Sequence, residues 1–511
     1  MKKIRIATGA EAKAIDQVAI EKIGIPSLVL MENAASALTW TIRKSCDEFT
    51  KVLVVCGSGN NGADGVACAR NLWEKGIQAK ILIIGEKEKF TSEMEIQCRI
   101  AKNSDIPIVE EKDVDLFQYD IIVDCIFGVG LSREITGKYK TWIAEINASG
   151  AKVVSADIPS GINATTGEVM GIAVRADITV TFGLLKCGLV LYPGTEYAGK
   201  VEAIDIGFPK KAVNMVAPMA YTYAKDQIKD MLPKRSGRTH KGTFGKTVVI
   251  GGSRTMCGAC YFAAEGAYRV GSGLVHIITA AVNRTALSGK LPEALITTYE
   301  EDSLSENKIE EIKGILNTAT SVVIGPGLSL DNTANQLLDL VLQWHKTKEY
   351  VPVIIDADGL NLLSKKEEYF EINGEGDRKL QLSENIILTP HLAEMSRLCG
   401  AEVEWISSHM QEAALNFSKG NVLVLKDART LVSDQDDLYI NMTGNSALST
   451  GGSGDVLSGI IAGLAAQGLE PMDAACVGVC LHGMAADRYV EEKSAHAMLA
   501  SDILTQLQYI L

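Results

Sequence analysis

The sequence predicts an α/β protein of two domains, each a mostly parallel sheet between helical layers in a three-layer αβα arrangement. At 511 residues the chain exceeds the length at which one hydrophobic core keeps growing. Short apolar strands alternate with helical patterns along its length, the mark of parallel strands joined by crossover helices. The 47 glycines against 12 prolines suit many tight strand-to-helix turns rather than disorder.

In the first half, apolar runs predict strands at 51–56, 79–84, 120–126, 152–156, 178–182 and 201–204, with helical spacing over 64–75 and 139–148. The pattern lapses around Phe208-Pro209-Lys210-Lys211, and a polar stretch runs on through Pro233 and Ser236-Gly237. A domain over 1–215, a linker over 216–234 and a second domain over 235–511 are therefore expected. The alternation resumes with strands at 246–250, 274–279, 321–324, 353–356, 386–388 and 422–426. It closes on the apolar helical run after Asp455. In such sheets the functional loops collect at the carboxyl ends of the strands.

With 47% hydrophobic and 22% charged residues the composition is that of a soluble globular protein. The net charge of -13 and pI near 5.2 argue against nucleic acid as a partner, since backbone binding needs a basic face. No stretch reaches the length of a membrane span. Lys2, Lys3 and Arg5 lead into Glu11, Lys13 and Asp16 rather than an apolar leader, so a cytoplasmic protein without membrane contact is expected. Eleven cysteines spread from Cys46 to Cys480 do not form a secreted disulfide framework. Cys257 and Cys260 have redox or half-zinc spacing, whereas Cys476 and Cys480, one helical turn apart, read as core.

Gly57, Gly59 and Gly62 match G-x-G-x-x-G after a strand, a pattern shared with hydride-transferring dinucleotide folds, for which Glu86 would be the ribose-binding acid. Paired asparagines in the loop, Asn60 and Asn61, and an aspartate, Asp64, set it apart. Three polar clusters also follow strands: Asp124 with the segment 128–134, Tyr139, and Ser155-Ala-Asp157-Ile-Pro-Ser160. A single strand-end aspartate often only caps a turn; together these groups form a candidate site.

In the second half, Gly251-Gly252-Ser253, Gly325-Pro-Gly327-Leu-Ser329, Asp356-Ala-Asp-Gly-Leu-Asn361, Thr389-Pro-His391-Leu-Ala-Glu394 and Leu425-Lys426-Asp427 each follow a strand. All lead toward Gly451-Gly452-Ser453-Gly454-Asp455, which opens a helix. Bare backbone N–H groups at such a start suit a polyphosphate, and the aspartate suits proton removal from a hydroxyl. That is the layout of a phosphoryl-transfer site.

The first of these constellations resembles the epimerase domain of the bifunctional NAD(P)H-hydrate repair enzymes, over most of 1–215. The resemblance implies a Rossmann-like domain that interconverts the R and S epimers of a nicotinamide cofactor hydrated at C6. It implies that Asn60, Asn61, Gly62, Ala63, Asp64, Gly128, Val129, Gly130, Leu131, Ser132, Arg133, Glu134, Tyr139 and Asp157 embrace the hydrated cofactor. It also implies a potassium ion near Asn61, Asp124 and Ser160. Asp157 is the candidate acid/base. Ala63 stands where glycine is expected in relatives, a small change.

The second constellation, over 235–511, resembles the NAD(P)H-hydrate dehydratase branch of the ribokinase-like superfamily. The resemblance implies that Ala259, Gly327, His391 and Asp455 hold the hydrated cofactor. Lys426, Asp427, Ala428, Arg429, Thr430 and Gly454 would hold the adenine nucleotide, with magnesium as cofactor and ADP as co-substrate. Asp455 would then deprotonate the C6 hydroxyl as it attacks the terminal phosphate, with the Gly452–Gly454 N–H groups and magnesium spreading the charge; phosphate and AMP leave, and NADH or NADPH is restored. Asp427, where glycine is expected, and Ser453 depart from the pattern. A homo-oligomer is expected from relatives. A ribokinase-like kinase of a vitamin-precursor alcohol, with a non-catalytic nucleotide-binding first domain, fits the superfamily loop equally.

Overall fold

The computed structural model describes residues 3–47, 49–300, 303–372, 378–417 and 420–511. Arg5–Ala220 form one compact unit, and Tyr221–Leu511, with the residues up to Ile4, form the other.

The parallel sheet of the first unit has seven strands: β1 Lys51–Cys56, β2 Gln78–Ile83, β3 Ile108–Val109, β4 Ile121–Cys125, β5 Lys152–Ala156, β6 Ile178–Phe182 and β7 Lys200–Ile204. They lie in the order β3-β2-β1-β4-β5-β6-β7, all parallel. The order reverses direction between β1 and β4, so the loops after Cys56 and Cys125, which are register partners, open a crevice at the switch point. Val52–Cys56 are buried throughout, as expected of a strand covered on both faces. One face is packed by α2 Ser27–Arg43 and α3 Asn60–Trp73, the other by Trp142, Ile143 and Ile146 of α4 Gly137–Ala148. Before them, α1 Gly9–Gln17 begins with a Thr8–Glu11 capping box; it and α2 carry none of the sequence motifs.

In the second unit the strands of the main sheet that place the site are β8 Lys246–Ile250, β9 Leu274–Ala280, β10 Leu295–Tyr299, β11 Ser321–Ile324, β12 Val353–Ile355, β13 Ile386–Leu388, β14 Val422–Leu425, β15 Leu431–Ser433 and β16 Leu438–Ile440. They lie in the order β10-β9-β8-β11-β12-β13-β14-β15-β16, parallel through β14, with β15 and β16 antiparallel. The helices that place the site are α5 Cys257–Arg269, α6 Asp358–Leu363, α7 Leu392–Cys399, α8 Ser453–Ala466 and α9 Pro471–Glu492. From Val456 to Ala466 every residue of α8 is buried, which explains a helix apolar on all sides. Small residues let its backbone meet α5: a Cβ on Gly459 would stand 2.0 Å from the Ala263 carbonyl oxygen.

Several bounds differ from the sequence reading. Asn60 and Asn61 belong to the first turn of α3, which begins one turn before Asp64. Strands β3, β10, β15 and β16 were not predicted; their short apolar runs lack glycine punctuation. The span 216–234 contains a short strand, Ala220–Thr222, and buries Tyr221, Tyr223, Ile228 and Met231 in the core of the second unit.

Candidate functional site

At the switch point of the first unit lies a cavity of about 970 Å³. Its walls include Asn60, Asn61, Asp64, the whole of Gly128–Glu134, Tyr139 and Asp157. Gly62 and Ala63 do not line it: both are buried in α3, and the Ala63 N–H donates to the Gly59 carbonyl. They shape the loop instead, because a Cβ on Gly62 would stand 2.2 Å from the Gly57 carbonyl oxygen and one on Gly57 2.1 Å from that of Ile126. Glu86 also faces the cavity, ion-paired with Lys89 at 2.7 Å.

Asp124, at the end of β4 and fully buried, ties the loops together. Its carboxylate accepts from Ser155 Oγ (2.8 Å), Ser160 N (2.8 Å), Ser160 Oγ (2.5 Å) and Ile126 N (3.2 Å). Burial raises its pKa, and the Ser160 and Ser155 hydrogen bonds oppose that shift. Ser160 Oγ in turn accepts from the Phe127 N–H at 2.8 Å. Asn61 Oδ1 lies 3.3 Å from where a Cβ would stand on Gly128, and Asn61 Nδ2 is buried without a partner. Among the described residues nothing hydrogen-bonds to Asn61 Nδ2, so no bond there fixes the orientation of the amide.

Asp157 follows β5 in a left-handed backbone conformation, φ 65°, which an aspartate adopts at a cost of about 1 kcal/mol or more. Lys186, which sequence reasoning missed, meets it at 2.6 Å. This ammonium is buried and also donates to Thr181 Oγ1 (2.9 Å) and the Phe182 carbonyl (2.8 Å). Its neighbourhood in sequence, Leu184-Leu185-Lys186-Cys187, offers no motif; only an apolar run interrupted by a single lysine marks it. Asp16 of α1 joins the same wall. Burial first, then Asp157, holds the pKa of Asp16 above the carboxylate range, and the same causes push Asp64 well above it.

In the second unit the ends of β11 to β14 converge. The Gly252 N–H donates to the Pro326 carbonyl at 2.8 Å, tying the loop after β8 to the one after β11. A Cβ on Gly327 would stand 2.9 Å from Ala259 Cβ, so those two predicted site residues pack together. Buried Asp356 accepts from Lys426 Nζ (2.8 Å) and from Ser458 Oγ of α8. The Lys426 N–H donates to the Pro390 carbonyl at 2.8 Å, setting it beside His391. His391 caps α7: its Nδ1 accepts from the N–H groups of Ala393 (3.1 Å) and Glu394 (3.4 Å), and its own N–H donates to the Glu394 carboxylate. That places the ring proton on Nε2, which lies 3.5 Å from the Glu394 carboxylate on a half-exposed ring.

Asp455 sits in the first turn of α8, after Gly452 at φ 90°. Burial, then the negative charge of Asp356, raises its pKa to about 7, with Lys426 opposing. Burial presses on the Lys426 ammonium too, yet Asp356 and Glu394 outweigh it and leave its pKa above the usual value. A Cβ on Gly454 would stand 3.4 Å from Lys426 Nζ, so these two predicted nucleotide residues adjoin. Asp427 and Ala428 are exposed at the turn after β14, with Arg429 and Thr430 half-buried behind them. The Ser453 N–H donates to the Thr450 carbonyl at 3.3 Å, so one of the three expected phosphate donors is already engaged. Ser453 Oγ turns back onto the Leu448 carbonyl at 2.8 Å. Cys257 and Cys260 are free thiols; Cys260 is buried, which pushes its pKa up to about 12, and among the described residues no group of three His, Cys, Asp or Glu gathers as a metal ligand set.

A doubly wound unit with a cavity at its switch point, joined to a unit in which strand-end loops meet a glycine–aspartate helix start, defines a two-domain enzyme acting on phosphate-bearing small molecules. Residues 27–188 match the family described as YjeF-related protein N-terminus, and residues 247–509 that described as NAD(P)H-hydrate dehydratase. The bifunctional NAD(P)H-hydrate repair enzyme of Moorella thermoacetica is 34% identical over 99% of this chain and 96% of that protein. Its counterpart in Coxiella burnetii is 35% identical over 98% of each chain, and that in Escherichia coli 33% identical over 97% of this chain and 92% of that one. An ADP/ATP-dependent NAD(P)H-hydrate dehydratase from Bacillus subtilis, co-crystallised with ATP and Mg2+, is 30% identical, with a TM-score of 0.48 over 57% of this chain and 96% of that one. The chain belongs to the bifunctional NAD(P)H-hydrate repair enzymes. Full-length membership sets aside a small-molecule kinase with an inert first domain.

Proposed function

We propose that the first unit interconverts the R and S epimers of NADH or NADPH hydrate and that the second dehydrates the S epimer with ADP, giving NAD(P)H, AMP and phosphate. One observation carries the second reading: Asp455 is a partly buried carboxyl with a pKa near 7, at a helix start beside a partly buried lysine. A group so tuned removes a proton at neutral pH. As the C6 hydroxyl attacks the terminal phosphate, Asp455 takes its proton, and Lys426, next to Gly454, meets the charge growing on the phosphate. The ring nitrogen lone pair then expels phosphate, leaving an iminium at N1 and C6, and loss of a proton from C5 to the departing phosphate restores the C5–C6 double bond. His391 Nε2–H is placed to orient the hydrated cofactor, and the Gly327–Ala259 contact forms the floor beneath it.

Magnesium supplies charge neutralisation when bound. Asp356 is taken up by Lys426 and Ser458, and Glu394 by the His391 amide, so the ion's natural ligands are the nucleotide's own phosphate oxygens. In the first unit, Asp124, Ser160 and Asn61 offer one carboxylate with hydroxyl and amide oxygens, a donor set suited to a monovalent cation such as potassium, which would lock three loops together. Asp157 is the acid/base there. Among the described residues no helix is long and apolar enough to cross a membrane; a cytoplasmic setting and a homo-oligomer complete the proposal.

The test is recovery of reduced-nicotinamide absorbance from a mixed-epimer NADPH-hydrate sample with magnesium and ADP, beside ATP and nucleotide-free controls. Complete, ADP-dependent recovery is expected. A halt at the S fraction would remove the epimerase, and no recovery would remove both assignments.

A further inference from the structure

Epimerisation at C6 needs two proton movements. If the ring opens, a base takes the hydroxyl proton, the C–O bond becomes a carbonyl, and the C6–N1 bond breaks with its electron pair passing to nitrogen, which must receive a proton from an acid. After rotation about C5–C6 the steps run backwards on the other face, returning both protons, so nothing is consumed. One carboxylate cannot supply both ends of this exchange at once.

The cavity of the first unit offers two carboxyls in opposite situations. Asp157 has a buried cation against it, whose three ammonium protons are directed to Asp157, Thr181 and the Phe182 carbonyl. Thr181 Oγ1 and the Phe182 N–H add longer hydrogen bonds to the same carboxylate oxygen, both at 3.4 Å. Asp64 lines the same cavity from α3 and, among the described residues, makes no hydrogen bond or ion pair. The charges bearing on it, Asp157, Asp16 of α1 and Glu32 of α2, are all negative. A buried acidic side chain among like charges keeps its proton, so Asp64 is suited to the acid role opposite the lysine-paired carboxylate of Asp157.

We propose that Asp64 and Asp157 act as an unlike pair in epimerisation: Asp157, held in place by Lys186, takes the hydroxyl proton while Asp64 gives one to the ring nitrogen. This rests on the reading of the first unit as the epimerase. Asp64 is thereby a catalytic residue, and Lys186 a positioning residue that acts through Asp157.

The full chain, without ADP, is given the pure R epimer, and its approach to the epimer mixture is followed by chromatography across pH; dehydration of the S epimer with ADP serves as the control for an intact chain. Asp64→Asn, a near-isosteric change at a residue with no ion pair, should lower kcat by about 10²–10⁴-fold with little change in KM, and should erase the loss of rate on the alkaline side. Lys186→Met should lower kcat by about 10²-fold with little change in KM, because Asp157 loses the ammonium that holds its carboxylate in place; Lys186→Arg should restore kcat in part. An Asp64→Asn enzyme within about threefold of the parent kcat, beside an inactive Asp157→Asn enzyme, overturns the pair and leaves the epimerase reading standing. Full activity in both variants overturns that reading itself. A Lys186→Met enzyme with unchanged kcat, or one that Lys186→Arg does not rescue and that has lost the ADP-driven control reaction as well, makes Lys186 structural only and overturns its part.

Discussion

Asp455 shows how one residue binds stability to catalysis. Its pKa is raised from 3.8 to about 7 in the folded chain, chiefly by burial. Between those values the folded state binds more protons than the unfolded one, so this group's contribution to stability falls as pH rises through the interval and stays low above it. The full penalty is at most about 4 kcal/mol, and solvent reaching the carboxyl lowers it. Asp455→Asn is therefore expected to raise the thermal midpoint at about pH 8 and to change it little near pH 4, while abolishing ADP-dependent dehydration. Paired melting curves of the two proteins at both pH values check this. An unchanged midpoint at the higher pH would show that the carboxylate carries no ionisation cost. In the parent, dehydration should decline below about pH 7 as the base is protonated. Lys426→Met should move that decline upward, since Lys426 is the group that lowers the Asp455 pKa.

The strand-to-loop junctions set the positions of these side chains, and close backbone approach makes glycine necessary there. Gly325 leaves β11 at φ 122°, and a Cβ on it would stand 1.9 Å from the Asp356 carbonyl oxygen. Gly325→Ala should thus cost about 2–5 kcal/mol through strain and overlap. By moving Asp356 it should disturb the Lys426 pairing and lower dehydration at least tenfold, with epimerisation of the R epimer as the internal control. Denaturant unfolding and separate assays of the two reactions check both parts. These junctions were legible in the sequence, because a glycine or acidic cluster directly after an apolar run marks a buried strand that ends in a tight polar turn: Asp124, Asp356 and His391 lie at strand ends, and Asp455 at the helix start that its glycine turn marked. The helix start at Asn60 was less legible, since an Asn-Asn-Gly segment reads as a turn until the backbone is seen. Lys186 was not legible at all. Its role depends on contact with a residue on another strand end, and no local pattern encodes that meeting.

Across the whole chain, one family spans both units, yet each unit holds its own proposed acid/base residue: Asp157 at a cavity in the first, Asp455 at a helix start in the second. Two such sites serve one metabolite when each handles a form the other leaves behind. The cation proposed for the first unit separates them by a route independent of substitution. Asp124 already holds the loops after β4 and β5 through Ser155 and Ser160, and a potassium ion at Asp124, Ser160 and Asn61 would extend that tie to α3 and so to Asp64. Exchange of potassium for a bulky organic cation should slow epimerisation of the R epimer and lower the unfolding temperature of the first unit, whereas dehydration of the S epimer should continue at its former rate. Asp157→Asn should reproduce the kinetic half of this result, with the R epimer stalled and the S epimer dehydrated, but with unfolding still dependent on potassium. If potassium exchange slowed both reactions alike, the cation would belong to the second site or to the nucleotide, and the Asp124–Ser160 cradle would be structural. If Asp157→Asn stopped both, division of the two reactions between the units would be wrong.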